Sequence, residues 1–517
     1  MRRYLLLISI FCVYASYAEV LFDAEFDSGS IGEVVRIDST DHLHYIVNTR
    51  IDPVNPYHPD RYRSQRWFYF RMVGVKDKTV SLEIKVNDSR RAMYSYDNVD
   101  FERFSKEESP EYNGTITKRY DRDTVYIAYY QPYTLERSES MIAQWRENGS
   151  VTPFSIGESI EGRKQQALLI TNNAHSGLIP DEDGKLRPTD SDREKRVIYI
   201  HGRIHPSETP ASWTLESAVN RIISLGETLD SVIFYIIPFT NPDGVVGGYS
   251  RTNVDGADLE GCYDFKELSP APEVANIKRF VEAIKSSGLD MAIALNFHAQ
   301  SSAKCSYWIH SAKSTSKSYN RDQKMLSMLS TQQNPYFEWR NMDHSHLKSR
   351  YVEGWIYRLF RGEATAITFE TPYSFYRWRP NLAGWVTPTS LEVIGERVVD
   401  AIVDKLAIST SDCIYLSEPK RAAGFAKIKN NNYLYFGSSA LRSQNIGEKI
   451  TYSESLPAGR YEVYKWEVGR DYRNQWLGRN CWRYHSVIDH KGGELILTTQ
   501  CAGEIFDMIK LKKLKYL

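Results

Sequence analysis

The chain has 517 residues, too many for one ordinary hydrophobic core, so we expect two to four domains. Its 65 basic and 65 acidic residues balance, which argues against nucleic-acid binding, because that function usually requires a basic surface. Six cysteines without a CxxC pair argue against a disulfide scaffold and against a cysteine-ligated metal site. Pairing of Cys262 with Cys305, or of Cys481 with Cys501, stays open.

The first 18 residues have the pattern of a signal peptide. Arg2 and Arg3 supply positive charge, residues 5–14 are apolar, and small residues precede a cleavage point after Ala18. The apolar run is too short to cross a bilayer, and no later segment approaches a membrane span. We therefore expect a secreted or periplasmic protein without a transmembrane segment. Three Asn-x-Ser/Thr sequons, at 87–89, 113–115 and 148–150, matter only in a eukaryotic source.

Residues 19–150 are predicted to form an N-terminal antiparallel β-sandwich domain. Short alternating runs separated by polar turns predict strands, and no convincing helix lies between them. The predicted strands cover residues 43–50, 66–75, 79–86 and 123–130.

Residues 160–408 are predicted to form an α/β domain, because strands and helices alternate along them. The predicted strands are 166–171, 196–201, 231–238, 291–297 and 364–369. Thr209 is predicted to cap a helix that begins with Pro210 and stops at Gly226, and two further helices are expected around residues 274–284 and 390–406. Predicted strands at 432–436, 459–466 and 493–498 indicate a C-terminal β-sandwich-like domain over residues 412–517.

Three predicted strand ends of the α/β domain carry residues suited to a metal site. Side chains at the carboxyl ends of such strands converge on one crevice. His205 and Glu208 follow the first strand end and His298 closes a second, so that two imidazoles and a carboxylate could bind one zinc ion and leave a position for water. Glu370 closes a third strand end, where a free carboxylate could act as the general base of a hydrolytic site.

The order of these motifs resembles the zinc metallocarboxypeptidase family, and most closely its cytosolic-carboxypeptidase-like branch. Residues 202–210 look like the first metal motif of that branch, and residues 241–244 match the family's Asn-Pro-Asp-Gly turn. Segments 65–70 and 129–132 look like its N-terminal β-sandwich. The resemblance implies a mixed-sheet α/β/α catalytic domain flanked by β-domains, one zinc ion per chain, Glu370 as general base and Arg251 as the residue that stabilises the oxyanion.

Residues 260 and 261 depart from the family's pattern. The family usually has Asn-Arg there, a pair that binds the free α-carboxylate of the substrate, whereas this chain has Glu260-Gly261. Glu260 would repel a carboxylate, so a nearby arginine would have to compensate, or the substrate would carry an amine or lack a carboxylate at that point. The candidate arginines are Arg203, Arg350, Arg377 and Arg379.

Three functions are consistent with these residues. The leading hypothesis is an exported zinc peptidase that cleaves a peptide or peptide-like amide, including glycosylated substrates. The second is an amidase or endopeptidase that does not read a free C-terminal carboxylate, and the third is a catalytically silent peptide- or glycan-binding protein. Residues 343–346 (Asp-His-Ser-His) are interpreted as a solvated loop rather than a second metal site. The aromatic residues Tyr461, Tyr464, Trp466 and Trp482 could either hold glycans or pack an accessory domain.

Overall fold

The computed structural model describes residues 20–37, 43–86, 92–110, 114–264, 271–338, 341–376, 384–408, 413–416, 419–429, 439–467, 469–470, 476–477 and 482–514. The predicted signal peptide, Cys481, Arg377, Arg379 and the predicted strand at 432–436 lie outside these residues. None of the helices in the described part of the chain has the length and hydrophobicity needed to cross a bilayer.

The N-terminal region forms two sheets around one core. Its strands are β1 (Leu21–Asp23), β2 (Val34–Ile37), β3 (Leu43–Asn48), β4 (Tyr69–Val73), β5 (Thr79–Lys85), β6 (Met93–Ser95), β7 (Glu102–Arg103), β8 (Thr115–Arg119) and β9 (Thr124–Ala128). The sheet orders are β1-β4-β9-β6-β7 and β2-β3-β5-β8. Alternate residues such as Phe70 and Ile127 from one sheet and Leu82 from the other are fully buried in the shared core. The β3–β5 pair is parallel, because the intervening β4 belongs to the other sheet.

Helix α1 (Leu135–Arg146) lies within the segment that was predicted to be β-sandwich. Thr134 caps it by accepting a hydrogen bond from the Arg137 amide, and Ile142 and Trp145 are buried. The first strand of the central sheet begins at Val151, nine residues before the predicted start of the α/β domain. The helix was missed because its apolar residues are too few to show a clear helical period.

The central domain contains a mixed eight-stranded sheet. Its strands and helices are β10 (Val151–Glu158), β11 (Lys164–Ile170), α2 (Asp190–Arg193), β12 (Arg196–Gly202), α3 (Thr209–Ile223), β13 (Val232–Ile237), α4 (Pro242–Val246), α5 (Pro272–Ser286), β14 (Asp290–Gln300), β15 (Ser306–His310), α6 (Lys317–Leu329), β16 (Met342–Ser345), α7 (Val352–Leu359), β17 (Thr365–Pro372), β18 (Phe375–Tyr376), β19 (Gly384–Trp385) and α8 (Pro388–Leu406). The sheet order is β10-β11-β13-β12-β14-β17-β15-β16, and its four central strands are parallel.

Helices cover both faces of this sheet, which explains why its central strands are almost entirely buried. In β12, Ile198 and Ile200 face the core that α3 and α8 help to form, whereas Val197 and Tyr199 face the core of α5 and α7. The parallel strands therefore end together along one edge of the sheet, which is the edge where a ligand site is expected.

The described residues of the C-terminal region form strands joined by turns. They are β20 (Cys413–Leu416), β21 (Phe425–Lys429), β22 (Ser439–Ser443), β23 (Lys449–Leu456), β24 (Gly459–Trp466), β25 (Gly469–Arg470), β26 (Trp476–Leu477), β27 (Trp482–His490), β28 (Gly493–Thr498), β29 (Ile505–Phe506) and β30 (Ile509–Lys513). Asp404 at the end of α8 joins this region to the central domain, because it accepts hydrogen bonds from Trp482 Nε1 at 3.0 Å and Lys510 Nζ at 2.8 Å. Trp466 is completely buried, so it serves packing rather than glycan binding.

Candidate metal centre

The predicted metal ligands come from a loop and a strand at the carboxyl edge of the sheet. His205 and Glu208 lie in the loop between β12 and α3, and His298 lies near the end of β14. Helix α3 begins at Thr209, one residue before its predicted first residue, and Glu208 takes the N-cap position that was predicted for Thr209. The Glu208 side chain makes no capping hydrogen bond, because its carboxylate faces the two imidazoles.

The three side chains form a compact buried cluster. His205 Nδ1 lies 2.8 Å from Glu208 Oε1, and His298 Nδ1 lies 2.8 Å from Glu208 Oε2. Their ligand atoms all fall within 4.8 Å of one another. Two imidazole nitrogens and one carboxylate are the donor set that zinc takes in open catalytic sites, so these residues fit a zinc ion.

Glu370 faces the same cavity from the end of β17. Its position in the sheet is set by the parallel register that pairs it with His298. Trp308 Nε1 donates to Glu370 Oε1 at 3.3 Å, while Oε2 has no hydrogen-bond partner among the described residues. Burial raises the pKa of the Glu370 carboxyl to about 7. A buried carboxylate with one free oxygen is suited to exchanging a proton with a bound reactant.

Arg251 is held beside the cluster by two carboxylates. Its Nε donates to Asp258 Oδ2 at 3.0 Å, and its backbone amide donates to Asp52 Oδ2 at 2.6 Å. Asp52 belongs to the N-terminal region, so that region helps to shape the loop that carries Arg251. Although burial acts to raise it, the pKa of Asp258 is held well below its usual range by the charge of Arg251.

Two cavities meet at the cluster. One, of about 340 Å³, contains Glu260, Trp308 and Glu370, and the other, of about 400 Å³, is lined by the N-terminal loop around Arg61. Both are lined by the side chains His205, Glu208, Arg66 and Arg251. A substrate could therefore extend from the cluster toward the N-terminal region as well as toward Glu370.

The predicted substrate-binding residues have different positions. Glu260 lines the cavity with its carboxylate 3.3 Å from His298 Nε2. Arg203 is 1% exposed and donates to the carbonyl oxygens of Pro206 at 2.7 Å and Tyr133 at 3.0 Å, so it supports the ligand loop and does not reach a substrate, contrary to the prediction. Arg350 donates to the Tyr351 hydroxyl at 3.2 Å and does not line either cavity. The prediction for Arg377 lies outside the described residues.

The structure also brings residues to the site that sequence reasoning missed. Trp308 and Glu353 line the cavity of Glu370, and Arg61 Nη1 lies 3.7 Å from Asp258 Oδ2. None of them belongs to a motif, and only the fold shows that they lie together. Residues Met342–Ser345 form an edge strand rather than a loop, and Asp343 binds Lys304 and Ser306 at 2.6 and 2.7 Å. Cys262 and Cys305 are free, so they do not pair.

Comparisons with known proteins agree with this geometry. Residues 140–359 match a family described as zinc carboxypeptidase, and residues 22–130 match a family described as the cytosolic carboxypeptidase N-terminal domain. The chain is 22% identical to an uncharacterized protein of Zymomonas mobilis, over 75% of this chain and 98% of that protein. It is 27% identical to human cytosolic carboxypeptidase 6, over 53% of this chain and 54% of that protein. The chain spans about half the length of the cytosolic carboxypeptidases 2 and 6 that it matches.

Solved structures show the same fold. A metallo-carboxypeptidase from Burkholderia cenocepacia aligns with a TM-score of 0.59 and 23% identity, over 75% of this chain and all of that one. A metallo-carboxypeptidase from Pseudomonas aeruginosa, in complex with (2-guanidinoethylmercapto)succinic acid, aligns with a TM-score of 0.58 and 18% identity, over 75% of this chain and 99% of that one.

Proposed function

We propose that the chain, which matches the zinc carboxypeptidase family over residues 140–359, is a zinc metallopeptidase that hydrolyses a peptide or peptide-like amide bond with Glu370 as general base. The observation that carries the proposal is the free Oε2 of Glu370, which lines the same cavity as the cluster of His205, Glu208 and His298. One carboxylate is thus available for proton transfer in addition to the one that would hold the metal.

The residues divide the reaction between them. A zinc ion held by His205, Glu208 and His298 would supply the Lewis acidity that activates water and polarises the scissile carbonyl. Glu370 would take the proton of the attacking water and return it to the leaving amine. Arg251, fixed by Asp258 and half-exposed to the cavity, would stabilise the negative charge that develops on the carbonyl oxygen.

Arg61 supports carboxypeptidase action over amidase action. Asp258 Oδ2 lies within 3.7 Å of Arg61 Nη1 and 3.0 Å of Arg251 Nε, so one carboxylate holds two guanidinium groups side by side. A Cβ atom on Gly261 would lie 3.8 Å from Arg61 Nη1. The Arg61 guanidinium therefore lies close to the space that a larger side chain at position 261 would occupy. Paired guanidinium groups suit the free carboxylate of a peptide, because each can donate two parallel hydrogen bonds.

We propose that the protein is exported from the cytoplasm of its source cell. The charged and apolar pattern of residues 1–18 supports export. Sequencing the N-terminus of the protein recovered from the culture medium or periplasm tests this proposal, with residue 19 expected first. An N-terminus within residues 1–18 in a cytoplasmic fraction would refute it.

The base assignment is tested with the full-length chain and one variant. We expect chelation to abolish peptide hydrolysis and zinc to restore it. Glu370→Gln should lower kcat by about 10²–10⁴-fold while zinc content is unchanged, because only the proton-transferring group is lost. Glu282→Gln, a matching change at an exposed residue, is the control. Full activity of Glu370→Gln would refute the mechanism.

The exopeptidase assignment is tested by digesting matched peptides with free and amidated C-termini. We expect release of single C-terminal residues from the free peptides only. Arg61→Gln should lower kcat/KM for the free peptides by about 10–100-fold, because a charge-assisted hydrogen bond is worth about 1.5–3 kcal/mol. Equal cleavage of amidated peptides would favour the amidase or endopeptidase, and zinc binding without any hydrolysis would favour the binding protein.

A further inference from the structure

The two imidazoles of the cluster each have a second carboxylate on their outer side. Both rings turn Nδ1 toward Glu208, which leaves each Nε2 on the outside. His205 Nε2 forms a hydrogen bond with Asp258 Oδ1 at 3.4 Å. His298 Nε2 lies 3.3 Å from Glu260 Oε2, which is an ion-pair distance, although the two groups are not aligned for a hydrogen bond. Glu260, which the sequence suggested as a substrate contact, therefore faces a metal ligand.

A carboxylate in this position acts on the metal through the ring. An imidazole that gives Nδ1 to a metal carries its proton on Nε2, and the negative charge of a carboxylate facing that proton makes Nδ1 a stronger ligand. Loss of such a partner typically weakens metal binding by about 10–100-fold. We propose that Glu260 is a positioning residue for His298. In this role Glu260 raises the zinc affinity of the site and does not contact the substrate. This inference rests on the proposed function only in requiring that the cluster binds zinc.

Neighbouring residues hold the Glu260 carboxylate in place. Asn296 Nδ2 lies 3.3 Å from the same Oε2 atom that faces His298. Asn296 and His298 are two residues apart on β14, so their side chains lie on one face of the strand. Glu260 itself sits in a short 3₁₀ turn, Leu259–Gly261, which the completely buried Leu259 anchors. The carboxylate is thus fixed toward the imidazole from both the strand and the turn.

The two outer carboxylates are not equivalent. Asp258 shares its charge with Arg251 and Arg61, at 3.0 and 3.7 Å. Glu260 is 7% exposed and forms no ion pair with a lysine or arginine among the described residues. Its negative charge is therefore available mainly to His298 and to the metal beyond it. Burying a carboxylate that has no cation nearby lowers the stability of the folded protein, and a bound zinc ion would supply that cation.

Zinc affinity of the full-length chain tests the inference. Competition with a chromophoric chelator at neutral pH should give a zinc Kd about 10–100-fold weaker for Glu260→Gln than for the wild type. The matched control is Glu273→Gln, because Glu273 is also buried and faces an asparagine amide, Asn253 Nδ2 at 3.4 Å, but lines neither cavity of the cluster. We expect the zinc Kd of that control to stay within about twofold of the wild type.

Two further measurements separate positioning from a general loss of structure. The metal-free Glu260→Gln protein should melt at or above the wild-type temperature, because a buried charge has been removed, while the rise in melting temperature on adding zinc should shrink. The visible spectrum of the cobalt-substituted variant should shift, because the orientation of His298 changes. Glu260→Asp, which keeps the charge but withdraws it, should give an intermediate Kd.

The outcomes distinguish this inference from the proposed function. An unchanged zinc Kd in Glu260→Gln with a raised KM for peptides would overturn the inference and make Glu260 a substrate contact. Weakened zinc binding by a chain that cleaves no peptide would support the inference and refute the peptidase. Failure of the wild type to bind zinc would overturn both.

Discussion

The buried carboxyl of Glu273 should make the stability of the central domain depend on pH. Glu273 lies in the first turn of α5 and is completely buried. Its Oε2 faces the Asn253 amide at 3.4 Å, and its Oε1 has no hydrogen-bond partner among the described residues. Burial raises the pKa of this carboxyl from 4.5 to about 7. The folded protein therefore holds a proton that the unfolded chain releases at lower pH.

The sign and size of the effect follow from that shift. A raised pKa leaves stability intact below pH 4.5, and stability then falls as the pH rises toward 7, because only the unfolded state has already lost the proton. A pKa raised from 4.5 to about 7 corresponds to a loss of about 3 kcal/mol of folding stability by pH 8, because each tenfold change in proton affinity is worth about 1.4 kcal/mol. Glu273→Gln should abolish this pH-dependent loss of stability. Because the variant buries an amide in place of the carboxyl, its net gain in stability over the wild type at pH 8 should be smaller by about 1 kcal/mol.

Thermal unfolding of the full-length chain at pH 5 and pH 8 measures the effect. At about 2–4 °C per kcal/mol, the difference in melting temperature between Glu273→Gln and wild type should become more positive by about 5–10 °C from pH 5 to pH 8. Comparison at each pH cancels the other titrating groups. Glu282→Gln changes an exposed glutamate on the same helix and should show no such dependence. An equal Glu273→Gln difference at both pH values would refute the reasoning.

Three further changes should act through packing and hydrogen bonding. Gly395→Ala in α8 should destabilise the protein by about 1–3 kcal/mol in a urea titration, because its Cβ would lie 2.3 Å from the Thr214 carbonyl oxygen, whereas Gly149→Ala, with nothing within 4 Å, should be neutral. Arg203→Met should lower the free energy of unfolding by about 3–5 kcal/mol in the same assay, because it leaves the buried carbonyl oxygens of Pro206 and Tyr133 unpaired. Arg350→Met, at a partly exposed residue, should lower it by less than about 1 kcal/mol. Asp404→Asn should speed proteolysis within residues 413–514 without changing peptide hydrolysis, since it weakens the contact of α8 with Lys510; unchanged proteolysis would contradict this role.

The strands and helices that could be predicted from the sequence are those whose local pattern of apolar residues is enough to identify them. The central strands β12, β13, β14 and β17 contain short apolar runs and are buried over nearly their whole length, because helices cover both of their faces. Helix α6 was missed because polar residues such as Gln323 fill part of its buried face. Gln323 satisfies its amide by donating to the Ala366 carbonyl oxygen at 2.9 Å, a partner 43 residues away. No local pattern reveals such a contact.

The same distinction separates the predicted part of the site from the missed part. His205, Glu208, His298 and Glu370 could be singled out as candidates because each follows a recognisable predicted strand and the set occurs in a known order. Asp52 and Arg61 were missed because they reach the site from the N-terminal region. Arg203 was misplaced because sequence shows its nearness to the ligand loop but not the direction of its side chain.

Glu260 and Gly261, which stand where the family usually has Asn and Arg, have separate consequences for the site. Glu260 Oε2 lies 3.3 Å from His298 Nε2, and we infer that its charge acts on the metal ligand rather than on the substrate. Gly261 leaves a space that the guanidinium of Arg61 approaches from another domain. If both assignments hold, Glu260→Gln weakens zinc binding without altering the preference for a free carboxylate, and Arg61→Gln alters that preference without weakening zinc binding. The double variant should then show both losses in full, because the two residues act on different ligands. A smaller combined loss would mean that positions 260 and 261 still serve one substrate contact.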